Sequence, residues 1–590
     1  MQATSASSLF QSTASLEIGL SRASKAARTS AGSQYGSPIW LGRKQEDLNA
    51  LAEGAAGADG GADKVLALEV ERDEGSDEAA AWVASSGGLV RRIDLETGTI
   101  THSVRAHNAP VSGLCLYPVT AGRTLLVTSS WDKSIRFWTV PPRLHTRASA
   151  SKHVKASLQQ VLTIKDAGSD FIKALHVLSA QDQEVLLSGG SDKIVRVWDL
   201  APLKAWAASL QDSQWLSISS AESSHAPQPA MLHAFREHTR PITCFASFAP
   251  RLGHHGPSSD GHAATSQPTH LVYSADSMGK VLELELSLQR EGAISARVEV
   301  KRELVGNETG VVDLSAGWRA EEDEDEHGEV RWTAELWTAS HDKVARLYLP
   351  DSETAASGTG GLRAAGSSSR SGQVLGRLAP LDPSRRIEHS SYVKVVLPLA
   401  HLASHRPDPS SEALRDILVT GETDGDLRVW DLSSQGVDQV DESKEDTSAG
   451  QPVTRRTIQG EAVQTGPGAR LIRAMEAHWH EVIVIRPWWR DRTRPLPEPN
   501  QEATETREIK VEAAKANQCE WWLVTAGLDG SVRRWRAADI ITPAPSVQKD
   551  SDVASASQKP PLIDKGAAKK ADPEMTEEEE RELQELMDED

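Results

Sequence analysis

The sequence predicts a repetitive all-β protein, and three observations support that prediction. Five segments share one pattern, in which an apolar run, a polar turn and a second apolar run follow one another. Stretches rich in Gly, Ser and Pro separate these units, as expected for lengthened connections between short strands. Apolar residues make up 38% of the 590 residues, below the usual ~45–50%, so part of the chain is expected to lie outside any packed core.

Each of the five segments has Ser or Thr four residues before an Asp, Arg four residues after it, and Trp or Tyr six residues after it. The second apolar run alternates in side-chain character, which is typical of a β-hairpin. Gly425 and Gly530 directly follow their Asp, where a tight turn needs backbone freedom. The hydroxyl, acid and aromatic positions are Thr128, Asp132 and Trp138; Ser188, Asp192 and Trp198; Thr338, Asp342 and Tyr348; Thr420, Asp424 and Trp430; and Thr525, Asp529 and Trp535.

Histidines stand upstream of these hairpins, each four residues before a β-branched residue that opens an apolar run. A buried Asp needs hydrogen-bond donors, and a hydroxyl, a His and an indole N–H can supply them. The full set of four residues is predicted three times, with His107, His389 and His478. Gly168 and Asn307 replace the His in the other two segments.

This arrangement of Asp, His, Ser or Thr, and Trp resembles the WD-repeat family, in which such a tetrad staples each blade of a β-propeller. The resemblance implies an all-β, seven-bladed WD-repeat β-propeller with long disordered insertions and disordered termini. Two degenerate units, residues 80–104 and 242–287, complete the seven. They carry Gly87 and Met278 in the Asp position and are expected to lack the polar staple. The units start near residues 62, 107, 167, 238, 307, 389 and 478.

The chain is expected to begin with a disordered segment, residues 1–36, which is rich in Ser and Ala. A mitochondrial transit peptide is the alternative interpretation of this segment. Residues 37–540 are predicted to form the propeller. The run at 37–42 has no partner in the first unit, so it is expected to pair with the last blade and close the ring.

The C-terminal part is predicted to contain a disordered linker, residues 541–574, followed by an acidic amphipathic helix at 575–590. A capping box opens this helix, and Leu583, Leu586 and Met587 then form a narrow apolar stripe. Such a helix is a candidate docking peptide for a groove on a partner protein. A plain solubilising tail is the alternative.

The tetrad residues are interpreted as structural, because they recur once per blade whereas a catalytic set is expected once. The sequence His478-x-His480-Glu481 is rejected as a zinc site, since His478 already belongs to a tetrad. No P-loop, zinc-hydrolase or nucleophile-elbow motif occurs. No catalytic residue, cofactor site or metal site is therefore predicted.

Partner-binding positions are predicted from the tryptophans and from the resemblance. Trp accounts for 17 residues, against 5 Tyr and 6 Phe. In the WD-repeat family, the residue before the turn Asp reaches the upper rim, where partners dock. Large aromatic side chains at such a rim are typical binding hot spots. The candidates are Trp131, His341, Thr423 and Trp479.

These features predict a non-catalytic protein-interaction scaffold, a subunit or adaptor of an intracellular multiprotein complex. Three widely spaced cysteines favour a reducing compartment, so the cytoplasm, the nucleus or both are expected. The net charge of −20 makes nucleic acid an improbable partner. No membrane association is expected, because no stretch approaches the ~18 apolar residues of a membrane helix.

Two alternatives to this function stay open. One is a hydrolase, esterase-like or phosphatase-like, with its site in the central channel. The other is a substrate receptor of a ubiquitin ligase. Receptors of that kind carry Trp-Asp-x-Arg at the end of a third strand, and the Arg is absent after both Trp198 and Trp430.

Overall fold

Seven four-stranded antiparallel sheets form the protein in this computed structural model. The seven-bladed propeller predicted from the sequence is thereby confirmed. The structure describes residues 24–26, 38–41, 63–71, 79–120, 122–140, 158–180, 183–211, 214–215, 226–248, 269–289, 295–324, 330–350, 378–403, 414–433, 469–491 and 519–542.

Each blade is a meander that runs from an inner strand to an outer strand. The first four blades consist, from inside to outside, of β2 (Val65–Val70), β3 (Ala80–Ser85), β4 (Leu89–Asp94) and β5 (Ile100–Arg105); β6 (Val111–Thr120), β7 (Arg123–Ser130), β8 (Ile135–Thr139) and β9 (Gln160–Ile164); β10 (Ile172–Ala180), β11 (Gln183–Gly190), β12 (Val195–Asp199) and β13 (Met231–Phe235); and β14 (Ile242–Ser247), β15 (Thr269–Asp276), β16 (Val281–Gln289) and β17 (Ser295–Leu304).

The last three blades consist of β18 (Val311–Glu324), β19 (Val330–Ser340), β20 (Val344–Tyr348) and β21 (Arg385–Glu388); β22 (Val393–Pro398), β23 (Ile417–Glu422), β24 (Asp426–Asp431) and β25 (Arg470–Glu476); and β26 (Val482–Asp491), β27 (Cys519–Gly527), β28 (Ser531–Arg536) and β1 (Ile39–Trp40). Consecutive inner strands contact one another around the ring, and β26 returns to β2. The inner strands therefore surround a central channel.

The ring is closed by β1, which is the outer strand of blade 7. It pairs antiparallel with β28, with Ile39 opposite Val532 and Trp40 opposite Ser531. This strand lies within the segment 37–42, where the sequence predicts a closing strand. Because the N-terminal part of the chain completes the last blade, the ring leaves only short sheet edges.

Every inner strand has a bulge just after its first residue, where the register to the second strand shifts. In two blades a hydroxyl group on the bulged residue donates a hydrogen bond to the next blade. The Ser112 hydroxyl donates to the Ile172 carbonyl at 2.5 Å, and the Thr243 hydroxyl donates to the Val311 carbonyl at 2.6 Å. Bulges of this kind re-aim a side chain, and here they join neighbouring blades.

The core lies between adjacent blades. Tyr117 and Phe137 of blade 2, for example, pack against Leu186 and Trp198 of blade 3, and all four are buried. Helix α1 (Ala201–Ser209) adds to this cluster, whereas α2 (Ala400–Ala403) and α3 (Ala537–Ile541) cover the cluster shared by blades 6 and 7. Burial of apolar surface at ~25 cal/mol per Å² makes these contacts the main stabilising force.

The turn between the second and third strands has a residue with positive φ at the same place in every blade. Glycine occupies this place at Gly425, where an added Cβ would lie 2.1 Å from the His478 carbonyl oxygen. Lysine takes the left-handed conformation in three blades, at a cost that glycine avoids. The seven residues are Gly88, Lys133, Lys193, Gly279, Lys343, Gly425 and Gly530.

One part of the expectation of disorder for residues 1–36 is wrong. Residues 24–26 are helical, and Lys25 and Ala26 are buried against the propeller. A segment rich in Ser and Ala cannot form a core of its own, but Ala26 packs against Trp479 and Trp40 of the propeller, which the composition of the segment does not reveal.

Several other predictions fall outside the described residues. These are the remainder of segment 1–36, the linker at 541–574 beyond residue 542, and the acidic helix at 575–590. The stripe formed by Leu583, Leu586 and Met587 belongs to that last segment. These features remain predictions.

Candidate functional site: polar staples, upper rim and channel strands

Blade 2 brings together all four residues of its predicted tetrad. The Trp138 indole N–H donates to the Thr128 hydroxyl oxygen at 3.1 Å. His107 Nε2 lies 2.8 Å from the same oxygen, and His107 Nδ1 lies 2.9 Å from Asp132 Oδ2. Burial acts to raise the pKa of Asp132, but hydrogen bonds from His107 and Ser134 outweigh burial and hold that pKa well below its usual range.

Blade 7 repeats this geometry in a fully buried setting. The Trp535 indole N–H donates to Thr525 Oγ1 at 2.8 Å, and His478 Nε2 lies 2.9 Å from that oxygen. His478 Nδ1 lies 3.1 Å from each carboxylate oxygen of Asp529. One proton arrangement satisfies every group: the indole donates to the hydroxyl, the hydroxyl to Nε2, and Nδ1–H to the carboxylate.

Blade 6 departs from the prediction, because Asp424 is not the partner of His389. His389 Nδ1 lies 2.8 Å from Glu422 Oε1, on a buried carboxylate two residues earlier in the chain. Thr420 still accepts the Trp430 indole N–H, at 3.1 Å. The assignment of Asp424 to this tetrad is therefore wrong: a longer side chain at the earlier position reaches the imidazole first.

Blade 4 uses the same earlier position. His238 Nδ1 lies 3.3 Å from Asp276 Oδ2, and His238 Nε2 lies 2.8 Å from the Ser274 hydroxyl. Asp276 stands two residues before Met278, which occupies the usual place of the acid. The expectation that the unit 242–287 lacks a polar staple is therefore wrong.

Blade 1 takes its acid from the other side of the hairpin. Asp63, which precedes the inner strand, accepts the Ser85 hydroxyl at 2.8 Å and the Gly87 backbone N–H at 2.8 Å. The Arg91 guanidinium donates to the same carboxylate at 2.7 Å. The expectation for the unit 80–104 is also wrong, since its acid lies upstream of the region that the repeat pattern covers.

Blade 3, which has Gly168 in place of His, keeps part of the tetrad. The Trp198 indole N–H donates to the Ser188 hydroxyl at 2.9 Å. Asp192 pairs instead with Arg196 at 2.7 Å. The arginine of the repeat therefore compensates the acid that lacks its imidazole.

In blade 5, Asn307 takes the place of the imidazole. Its side-chain oxygen accepts the Thr338 hydroxyl at 3.1 Å, and its amide donates to the Tyr348 hydroxyl at 3.2 Å. Asp342 is bound by Arg346 at 2.9 Å. All seven blades thus carry a polar staple of their own, and the staples are distributed around the ring.

The upper rim is formed by two residues of each blade: the one before the staple turn and the one before the inner strand. The backbone N–H of the first donates to the carbonyl of the second at 2.8–3.1 Å in every blade. The pairs are Ser86 and Lys64, Trp131 and Pro110, Ser191 and Phe171, Ser277 and Pro241, His341 and Gly310, Thr423 and Tyr392, and Leu528 and Glu481.

Trp131 and Phe171 form an aromatic patch on this rim, where blades 2 and 3 meet. Their rings stack with centroids 5.2 Å apart and an interplanar angle of 15°. Trp131 is 40% exposed and Phe171 is 38% exposed. Lys133 lies in the same turn as Trp131, and its ammonium donates to the Ser169 carbonyl at 3.0 Å.

The other predicted partner-binding positions differ in accessibility. His341 is half-buried, with its ring 5.7 Å from that of Tyr392, and burial together with Lys394 lowers the pKa of His341. Thr423 is also half-buried. Trp479 is only 3% exposed, because residues 24–26 pack over it.

The sequence analysis missed Phe171 and Tyr392, although both are exposed on the rim. Each immediately precedes an inner strand, a position outside the hairpin pattern from which the rim residues were predicted. The usable signal was an aromatic residue directly before the β-branched residue that opens the strand.

The channel strands carry several polar groups. Arg486 on β26 donates to Glu69 on β2, with two N···O distances of 3.2 Å. Burial raises the pKa of Asp313 on β18 to about 6, although Arg486 acts in the opposite direction. Burial also raises the pKa values of the Cys115 and Cys244 thiols, which makes both weak nucleophiles.

A serine and a histidine meet between the inner strands of blades 3 and 4. His176 Nε2 lies 2.8 Å from the Ser247 hydroxyl, the spacing of a nucleophile and its base. Burial lowers the pKa of His176 to about 4, so the imidazole is a weak base at neutral pH.

Within the ranges given above, no three His, Cys, Asp or Glu side chains are grouped as metal ligands would be. None of the helices in those ranges is both long enough and apolar enough to cross a bilayer.

The seven sheets form a seven-bladed β-propeller, and their polar staples are consistent with the WD-repeat family. Residues 98–139 and 159–199 match the family described as WD domain, G-beta repeat. Each match spans the outer strand of one blade and three strands of the next, so the sequence repeat is offset from the blade. No curated protein matches the chain. Propellers of this family generally serve as protein-interaction scaffolds and are typically not enzymes.

Proposed function

We propose that this protein is a non-catalytic interaction scaffold, a subunit or adaptor of a multiprotein complex in the cytoplasm or nucleus. The single observation that supports this most directly is the aromatic patch of Trp131 and Phe171. Two large rings are left accessible side by side on an otherwise well-packed domain. Contiguous exposed apolar surface of this kind marks interaction sites, and aromatic anchors supply much of their binding energy.

The charges around the patch indicate what kind of segment it binds. Lys133 and Lys193 occupy the staple turns of blades 2 and 3, and Lys173 lies two residues after Phe171. An aspartate directly precedes each turn lysine, and Asp170 directly precedes Phe171, so the rim around the patch carries both signs of charge. A partner segment with an apolar anchor and charges of both signs beside it fits this surface, since complementary charges steer association and reject other partners.

The patch is held rigidly, which favours binding. Asp132, the residue after Trp131, is fixed by His107, and the Trp131 backbone bonds to Pro110 at 3.1 Å. Because these bonds hold the turn before a partner arrives, little conformational entropy is lost on binding.

The test is recovery of partners by affinity capture of the full chain and of a Trp131→Ala/Phe171→Ala double variant. Met231→Ala is the matched control, because Met231 is 52% exposed but lies on the outer strand of blade 3. We expect a stoichiometric partner with wild type and control, and at least a ten-fold lower yield with the double variant. Equal yields from all three proteins contradict the proposal.

The acidic segment 575–590 is proposed as a second docking element, in which Leu583, Leu586 and Met587 enter a groove on a partner. The support is the sequence pattern alone. Substituting all three residues by Ser is expected to remove a subset of the captured partners. An unchanged partner set indicates a solubilising tail.

A hydrolase is the second candidate function, favoured only by the contact between Ser247 and His176. The low pKa of His176 argues against a hydrolase, because it makes the imidazole a weak base. Turnover of simple esters or phosphate esters that Ser247→Ala abolishes would establish the hydrolase. Turnover that is absent, or unchanged by Ser247→Ala, removes this candidate.

A further inference from the structure

Lys25 binds the turn between the second and third strands of blade 6. Its ammonium donates to the Asp424 carbonyl oxygen at 2.5 Å and forms an ion pair with the Asp426 carboxylate. Lys25 is only 8% exposed. Burying an ammonium group is unfavourable unless it is paired and hydrogen-bonded, so these acceptors account for its position.

The next residue completes the contact. The Ala26 methyl group packs on the indole of Trp479, and Trp40 of the closing strand lies against the same cluster. Trp479 follows the staple histidine of blade 7, so the contact bridges the upper faces of blades 6 and 7. The site that binds Lys25 and Ala26 therefore combines the carbonyl of Asp424 and the carboxylate of Asp426 with the indole of Trp479.

The acceptors are positioned by bonds that do not involve Lys25. The Asp426 backbone N–H donates to the Asp424 carboxylate at 3.0 Å. The Gly425 carbonyl accepts the N–H groups of Ala477 and His478, at 3.2 and 2.9 Å. These bonds fix the turn to the adjoining blade. The acceptors that bind Lys25 are therefore held in place by bonds that do not depend on Lys25.

The negative charges at the site that binds Lys25 favour a bound cation. Burial and the neighbouring Asp424 carboxylate raise the pKa of Asp426 to about 6, and Lys25 acts in the opposite direction. Two neighbouring carboxylates repel each other when both are ionised. Arg428 lies 3.4 Å from the Asp424 carboxylate and also pairs with Glu422, so Lys25 is the cation paired with Asp426. A bound ammonium group relieves that repulsion.

We propose that Asp424, Asp426 and Trp479 form a lysine socket, which binds the ammonium group of a peptide lysine. Lys25 of the chain's own N-terminal segment fills the socket, and a lysine-bearing segment of a partner protein binds there by displacing it. The socket is separate from the aromatic patch and does not depend on the function proposed for that patch.

Residues 27–37 connect the bound segment to the closing strand. Because Lys25 belongs to the same chain as the residues that bind it, its effective concentration is on the order of 1 mM. A free peptide with a Kd of about 0.1 mM therefore binds the intact chain about ten-fold more weakly than a chain whose own lysine is removed. Competition from Lys25 thus sets the affinity that a partner segment needs in order to bind the socket.

The experiment uses the full chain and a fluorescently labelled peptide that copies residues 18–32. Binding is measured by fluorescence anisotropy with wild type and with Lys25→Gln. We expect Lys25→Gln to bind the peptide about ten-fold more tightly than wild type, because its socket is open. A second peptide with Gln in place of its lysine retains both flanking arginines, and at least ten-fold weaker binding of this peptide is expected.

Two further variants in the Lys25→Gln background separate the socket from general charge. Asp426→Asn removes the carboxylate that binds the lysine, and at least a ten-fold loss is expected. Asp424→Asn keeps the backbone carbonyl that Lys25 uses but removes one negative charge, so a smaller loss than that of Asp426→Asn is expected, and an equal or larger loss means that general charge and not the ion pair binds the lysine. Thermal melting establishes that each variant is folded. The proposal is overturned if Lys25→Gln does not bind the peptide, or if the Gln peptide or Asp426→Asn binds equally well.

Discussion

Thr525→Val tests whether the staples stabilise the propeller through hydrogen bonds. The substitution keeps a branched side chain but removes the hydroxyl that accepts the Trp535 indole N–H and contacts His478 Nε2. Both partners are completely or almost completely buried, so water cannot replace the lost bonds. Each buried polar group left without a partner costs about 1–3 kcal/mol, which gives about 2–6 kcal/mol for the two groups.

Thr420→Val in blade 6 is the matched control. There the Trp430 indole N–H is the staple group that depends on the hydroxyl, because His389 binds Glu422 instead. We therefore expect a loss of about 1–3 kcal/mol. Urea unfolding followed by circular dichroism measures both losses, provided that the slope of the transition is unchanged. Equal losses for the two variants, or a loss below ~1 kcal/mol for Thr525→Val, refute the proposed network.

Three further predictions concern pH and backbone strain. Burial acts to raise the pKa of Asp529, but the electrostatic interaction and hydrogen bond with His478 and the hydrogen bond from Ser531 outweigh burial and lower that pKa. Stability is therefore complete above about pH 4 and falls as the pH drops further, and Asp529→Asn flattens this dependence in acid unfolding curves. The pKa of Asp313 is raised instead, to about 6, so this group lowers stability as the pH rises from about 4 to 6. Asp426 contributes a slope in the same range, so Asp313→Asn should reduce the slope rather than abolish it, and should stabilise the protein by about 1–3 kcal/mol at pH 7. Gly425→Ala should cost about 2–4 kcal/mol because of its positive φ and its close approach to the His478 carbonyl, whereas Lys343→Ala, which already has a Cβ at a positive φ, should change the melting temperature little.

Controls and contrary outcomes for these three predictions are direct. If Asp529→Asn leaves the loss of stability at low pH unchanged, His478 does not hold the Asp529 carboxylate in its charged form. If the slope between pH 4 and 6 is as steep in Asp313→Asn as in wild type, Asp313 does not contribute to it. Similar melting temperatures for Gly425→Ala and Lys343→Ala indicate that the blade 6 turn has room for a side chain.

The hairpins of the propeller could be predicted because each blade repeats the same local requirement: two short strands and a polar turn between them. The positions of the staple acids could not all be predicted. Asp276 and Glu422 reach their histidines from two residues before the usual acid, and Asp63 lies outside the hairpin. A spacing rule fixes positions along the chain, whereas the bond depends on side-chain length and on which atoms the fold brings together.

The upper rim and the lysine socket show a second limit of prediction from the sequence. Trp131 was identified from its place before a turn, but its stacking partner Phe171 belongs to the next blade. Lys25 and Asp426 are 401 residues apart in the chain, and Trp479 becomes buried because the N-terminal segment returns to it. Contacts between distant segments leave no local pattern, so only the assembled ring reveals them.

The central claim is that the accessible ring pair of blades 2 and 3 holds a protein partner. Isothermal titration of the purified full chain with its isolated partner measures this directly. We predict that replacing both Trp131 and Phe171 by Ala weakens binding about thirty-fold or more, as loss of a hot spot of at least ~2 kcal/mol requires. Met231→Ala should leave the Kd unchanged. An unaltered Kd for the double replacement would contradict the account.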